Sequence, residues 1–180
     1  PSVLQMCDLL EGRGVKISRI AVDDQGVVDL DALTGSLTPE TFLVSIMHAN
    51  NETGVVQPVA EISRICSNAG VLFHSDAVQS VGKLPVTLAN TGADMLSISA
   101  HKFGGPKGVG ALIVDSHLTL PGILLGGGQE RGRRAGTENI PGIVGFGAAA
   151  DLVAREHGKK SELMLALRRQ LENKLSKLLP

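Results

Sequence analysis

An α/β fold with a mainly parallel sheet flanked by helices is predicted by three observations. Short apolar runs at 42–47, 71–73, 94–98 and 109–114 have the length and composition of strands. Helical periodicity lies between several of them, which calls for right-handed crossovers and a sheet covered on both faces. Polar or glycine-rich residues follow directly on the runs, at 50–54, 76–79 and 101–110. Ligands in such sheets bind beyond the carboxyl ends of the strands.

Taken in order, Val3, Leu4, Met6, Cys7 and Leu10 form a helical stripe that stops at Gly12 and Gly14. Residues 15–22 alternate, with Val15, Ile17, Ile20 and Val22 apolar, which predicts a half-buried strand. Asp29 suits the N-cap of a short helix carrying Leu30, Leu33 and Leu37. The nearly continuous apolar run at 42–47 predicts a strand buried on both faces. Pro58 suits the first turn of a helix whose Ile62, Ile65, Cys66 and Ala69 share a face and whose end is Gly70. After the last strand comes a long polar loop at 124–139. Pro141 then opens a helix rich in Gly and Ala, and a second helix is predicted from Glu162 to Leu179. On it Leu163, Leu167, Leu171, Leu175 and Leu178 line one face, suited to a core or subunit contact more than to a coiled coil.

Composition removes several function classes. With 43% hydrophobic and 19% charged residues over 180 positions, the chain is folded and not disordered. A net charge of −1 carries no electrostatic footprint for nucleic acid or an anionic membrane. Without Trp or Tyr, and with four Phe, base stacking has little to work with. No apolar run approaches a bilayer span, and the first residues lack the layout of a signal peptide, so a cytoplasmic setting is expected. Cys7 and Cys66 form no Cys-x-x-Cys pair, which indicates neither zinc nor a disulfide framework.

The chemistry centres on Lys102. Its amine follows an apolar run and precedes the glycine-rich turn Gly104–Gly110, where backbone can approach a ligand closely. A lysine that forms an imine must spend time uncharged, and a pyridoxal phosphate bound to it needs an acidic partner for its ring nitrogen. Asp76 is the candidate. Taken alone, a lysine after a strand is usually a solvated end, and an Asp in this position also suits a helix N-cap. His74 alternates with Asp76 onto the same face and reads as a satisfied core residue. His48, His74, Asp76 and His101 match no metal-ligand spacing. Arg131, Arg133 and Arg134 read equally as phosphate ligands or a solvated face, and Gly126–Gly128 lacks the Gly-Lys-Ser/Thr ending of a nucleotide loop.

Four stretches carry a resemblance: Asn50-Asn51-Glu52-Thr53-Gly54, His74-Ser75-Asp76-Ala77-Val78-Gln79, Ser99-Ala100-His101-Lys102-Phe103-Gly104-Gly105-Pro106-Lys107-Gly108, and Gly126-Gly127-Gly128-Gln129-Glu130-Arg131 with Gly136-Thr137-Glu138-Asn139. In this order they resemble the cysteine desulfurases, the NifS/IscS-like group of class V aminotransferases. The resemblance implies an incomplete large domain of a fold-type I pyridoxal-phosphate enzyme. It implies that Lys102 holds the cofactor covalently and later moves the substrate's α-proton. Asp76 would pair with the pyridinium nitrogen, and Gln79 would bond the phenolic oxygen. Asn51 would lie near that oxygen and the substrate carboxylate. Ser99 and His101 would contact the phosphate, and Thr137 would reach the phosphate of a neighbouring subunit in a homodimer with shared sites.

The substrate implied is L-cysteine, converted to L-alanine with the sulfur left as an enzyme-bound persulfide that a sulfur-acceptor or scaffold protein would receive. Residues 1–158 would be the central part of the cofactor-binding domain, and 159–180 a helix leading toward a small domain. By the same resemblance, a ring-stacking His and a phosphate loop would precede Pro1, and a persulfide-forming Cys and a carboxylate-binding Arg would follow Pro180. Two rival readings are a related class V activity, such as a selenocysteine lyase or transaminase, and a non-catalytic domain that only dimerises.

Overall fold

The computed structural model describes residues 2–178. Its centre is a four-stranded sheet in the order β1 (Leu43–Met47), β2 (Leu72–Asp76), β3 (Met95–Ser99) and β4 (Gly110–Val114). The pairs β1–β2 and β2–β3 are parallel, while β3–β4 is antiparallel. The predicted mainly parallel architecture is therefore present. The antiparallel step arises because the 101–109 turn returns the chain directly beside β3 without a crossover helix.

The helices form where local signals place them. α1 (Ser2–Glu11) ends before Gly12. α2 (Leu30–Ser36) is capped by Asp29, whose Oδ1 accepts from the amides of Asp31 (3.0 Å) and Ala32 (2.9 Å). In α3 (Val59–Ala69), Pro58 sits at the N-cap and Gly70 adopts the left-handed conformation at φ 68°. Its N–H closes on the carbonyls of Cys66 and Ser67, a geometry that costs glycine nothing. A four-residue helix, α4 (Leu88–Thr91), carries a capping box between Thr87 and Asn90 and is too short to announce itself by periodicity.

One face of the sheet packs on α2, α3 and α4. Leu33, Val44, Ile62, Cys66, Phe73 and Leu96 lie in this core, and Phe73 is 1% exposed. Phe73→Ala is expected to destabilise the chain by about 3–5 kcal/mol through lost burial and the cavity left behind. A shift of the denaturant midpoint at unchanged slope would register it.

Three expectations need correction. Residues 15–22 form no strand. Val22 makes only an isolated bridge with Val28, because no neighbouring strand supplies a ladder; Ile20 instead packs on the core edge. β1 is not buried on both faces, since Val44 and Ile46 pack on the core while Leu43 and Ser45 on the opposite face are exposed. The two C-terminal helices are one, α5 (Ile140–Leu175), opened by Pro141 and capped by Asn139. Gly158 costs a helix about 1 kcal/mol, which the Ala, Arg, Glu, Lys and Leu around it offset. The predicted leucine stripe is exposed at Leu163, Leu167, Leu171 and Leu175 on α5 and at Leu178 in the turn beyond it, and forms no core with the described residues. Leu179 and Pro180, where that helix was expected to end, lie outside them.

Candidate active site

The strand order decides whether the chemistry converges. Because β1, β2 and β3 are neighbouring and parallel, their carboxyl ends share one edge of the sheet. Asn51 follows β1, Asp76 is the last residue of β2, and Ser99 ends β3 immediately before the 3-10 turn Ala100–Lys102. In register, Met47 faces Asp76, which faces Ser97, and the edge is tied by His48 N donating to Asp76 O (2.9 Å) and Ala77 N to Ser97 O (3.0 Å).

At this edge Asp76 is half-buried, and its Oδ1 accepts from the amide of Val78 at 2.9 Å. The residues that follow it form a turn and no helix, so Asp76 makes an Asx turn where an N-cap was also conceivable. Ser99 Oγ lies 2.9 Å from His101 Nδ1, which joins the two residues expected to contact an anion. His101 and Lys102 are exposed. The turn beyond Lys102 needs Gly105, where a β-carbon would stand 2.8 Å from that of Ala100.

Gln79 sits in the turn after Asp76 beside a residue that sequence reasoning missed. Lys83 Nζ donates to Gln79 O at 2.8 Å and lies 3.5 Å from Gln79 Oε1. Burial holds the Lys83 ammonium below its usual range, and the charge of Lys102 pushes it the same way, so the two amines are close enough to repel. A lysine four residues past a turn glutamine carries no local signature, which is why it escaped notice. Asn51 is exposed, and its neighbour Asn50 ties the turn by accepting from the amides of Glu52 (2.9 Å) and Thr53 (3.0 Å). Thr137 is exposed on a different element, the loop before α5.

That loop contains a short turn in which Glu130 (φ 49°) and Arg131 (φ 58°) are both left-handed. Non-glycine residues held there cost on the order of 1–3 kcal/mol each.

Cys66 has no part in this edge. It is 1% exposed on α3, and burial, with the nearby charge of Asp94, pushes its thiol up to about 11. A thiol so protonated is a poor nucleophile.

Two histidines give the region a pH dependence. Burial holds His48 below its ordinary 6.5, and burial does the same for His74 against the opposing charge of Asp76. As pH falls through 6.5 the unfolded chain takes up protons that the folded chain refuses. Stability is therefore expected to be full above about 6.5 and to decline below it, more shallowly for His48→Gln; denaturation midpoints across that range check this.

The comparisons with known proteins agree with this fold. The aminotransferase class-V family model matches residues 2–179. A cysteine desulfurase of Sinorhizobium fredii is 49% identical over 181 residues, which covers 100% of this chain and 47% of that protein. One from Cereibacter sphaeroides is 54% identical over 159 residues, covering 87% of this chain and 41% of the relative. Among solved structures, a NifS-like protein superposes with a TM-score of 0.93 at 42% identity, over 98% of this chain and 49% of that one. The apo cysteine desulfurase of Thermococcus onnurineus does so with 0.88 at 28% identity, over 98% and 48%. The chain thus spans about half the length of the curated relatives it matches.

Proposed function

This chain belongs to the class-V aminotransferases, in their NifS/IscS-like cysteine desulfurase group, and from that premise we propose that it is the cofactor-bearing segment of a pyridoxal-phosphate-dependent enzyme that takes sulfur from L-cysteine and leaves L-alanine. The observation that carries the reading is the common edge on which Asp76 and the Ser99–Lys102 turn end adjacent parallel strands.

The donor set fits the cofactor. Asp76 has one carboxylate oxygen held by the Val78 amide, which orients the other for a cationic ring nitrogen. Lys102 stands on the exposed face of a tight turn and supplies the amine that would bind the cofactor covalently. Ser99 and His101 would supply polar hydrogens for a phosphate, and Gln79 and Asn51 would supply amides for the phenolic oxygen. Pyridoxal phosphate, when bound, supplies an electron sink for the bond-breaking at the substrate's α- and β-carbons.

The work of the chain's own residues follows from their chemistry. Asp76 would set its carboxylate against the ring nitrogen and favour the protonated form of that nitrogen. Lys102 would hold the cofactor covalently and serve as the general base that carries the substrate's α-proton. Lys83, anchored on Gln79, places a second amine near Lys102 at the same edge. The sulfur acceptor is a cysteine thiolate other than Cys66, whose burial withholds it.

Thr137 would serve the site of a second copy, in a homodimer. The exposed apolar side chains Ile123, Leu125, Ile140 and Val144 before and after it suit such a contact. A sulfur-accepting or scaffold protein would then collect the persulfide.

The test is covalent labelling. The protein incubated with pyridoxal phosphate, reduced with borohydride and mapped by peptide mass is expected to carry the label on Lys102. A label at Lys83, or at scattered surface lysines, would defeat the assignment.

A further inference from the structure

The face of the sheet opposite the α3 core carries a hydrogen-bonded chain that packing does not require. His74 Nδ1 lies 2.8 Å from Ser45 Oγ on β1, and His74 Nε2 lies 2.9 Å from Ser97 Oγ on β3. One imidazole therefore clasps three strands, with both ring nitrogens satisfied.

The second bond is diagonal. Ser97 is the register partner of Asp76, while His74 itself faces Met95. The clasp thus leans toward the carboxyl edge and holds the strand position directly opposite Asp76. Alternation puts His74 and Asp76 on the same face, where the residues of β1 and β3 are Leu43, Ser45, Met47, Met95, Ser97 and Ser99, none of them charged. Asp76 is therefore the one charged group of the described strands that faces His74. Two hydroxyls suit a neutral ring, since one accepts from it and the other donates to it, and burial favours that neutral form.

Resting on the cofactor reading above, we propose that His74 is a positioning residue for Asp76: clasped by Ser45 and Ser97, it fixes the end of β2 and leaves the Asp76 oxygen not held by Val78 for the pyridinium nitrogen. The substrate chemistry does not touch it. Its effect is on how strongly the ring nitrogen is held.

A pair of probes separates this from simple stabilisation: pyridoxal phosphate and its deaza analogue, in which CH replaces the ring nitrogen. Dissociation constants are measured by absorbance titration on the full-length protein carrying this segment, for the unaltered sequence, His74→Leu, Ser97→Ala and Asp76→Asn. The Ser97→Ala variant removes one hydroxyl and keeps the measurement interpretable if His74→Leu does not fold. His74→Leu and Ser97→Ala are expected to weaken pyridoxal phosphate about tenfold, the scale of one hydrogen bond to a charged group, and to leave the deaza analogue unchanged. Equal weakening of both probes would make the clasp a structural device only, and no weakening of either would remove its role; each overturns the proposal while the cofactor reading stands. If the unaltered protein itself does not prefer pyridoxal phosphate to the analogue, and Asp76→Asn changes nothing, the Asp76 assignment fails and this inference falls with it.

Discussion

Lys102→Ala is expected to abolish the borohydride-fixed label and to lower the rate of alanine formation from L-cysteine by at least about 10²–10⁴-fold, the range that one positioned proton carrier contributes. Loss of covalent anchoring adds to that figure. The residue is exposed on a 3-10 turn, so its removal leaves no cavity and no orphaned partner. The variant should unfold at the same denaturant concentration as the unaltered chain. That combination, a lost label at unchanged stability, is what separates a chemical role from a structural one. The observation that would defeat the expectation is a mapped label that persists on another lysine with alanine formation retained. Lys83 is the residue to watch, because it lies near Lys102 and its ammonium is already held below its usual range.

Asp76→Ala is the second large effect. The carboxylate is half-buried at the end of β2 and spends one oxygen on the Val78 amide, so truncation removes a charge-assisted partner for the cofactor and also loosens the turn. Hydrogen bonds to charged groups are worth about 1.5–3 kcal/mol, a weakening of roughly 10- to 150-fold in cofactor affinity. Asp76→Asn retains the oxygen that accepts from Val78 but loses the charge and replaces the other acceptor by an N–H donor. It therefore keeps the turn while removing the partner of the ring nitrogen, and its loss of affinity should be a large fraction of that for the alanine variant. Absorbance titration with pyridoxal phosphate measures both. If Asp76→Asn binds as tightly as the unaltered chain, Asp76 is an Asx-turn residue and the ring nitrogen has another partner.

The unequal legibility of these residues has a physical cause. The helix ends at Asp29 and Gly70 were readable because caps are local, involving an amide within three residues or a backbone conformation that glycine alone adopts freely. Lys102 and Asp76 stand where the sequence placed them, at the junction of an apolar run and a turn. The strand predicted at 15–22 failed on the same kind of evidence. Alternation signals one apolar face, and Ile20 satisfies it by packing at the core edge without a partner strand. The run at 42–47 misled in the opposite direction, since continuous apolarity signals burial but does not say what covers each face. In the fold, Leu43 and Ser45 on the face of β1 away from the core are exposed.

By itself the sequence determined the α/β class, the apolar runs that become β1 to β4, and the helix ends at Asp29 and Gly70, all through contacts within a few positions. Tertiary structure alone decided the rest. The order β1-β2-β3-β4 made neighbours of ends that are 25 or more positions apart, Asn51, Asp76 and Lys102. It also set Ser45 and Ser97 on the two sides of His74 and brought Lys83 near Lys102. Strand pairing is chosen by the free energy of the whole packed sheet, not by any one segment, so it leaves no signature in the residues between.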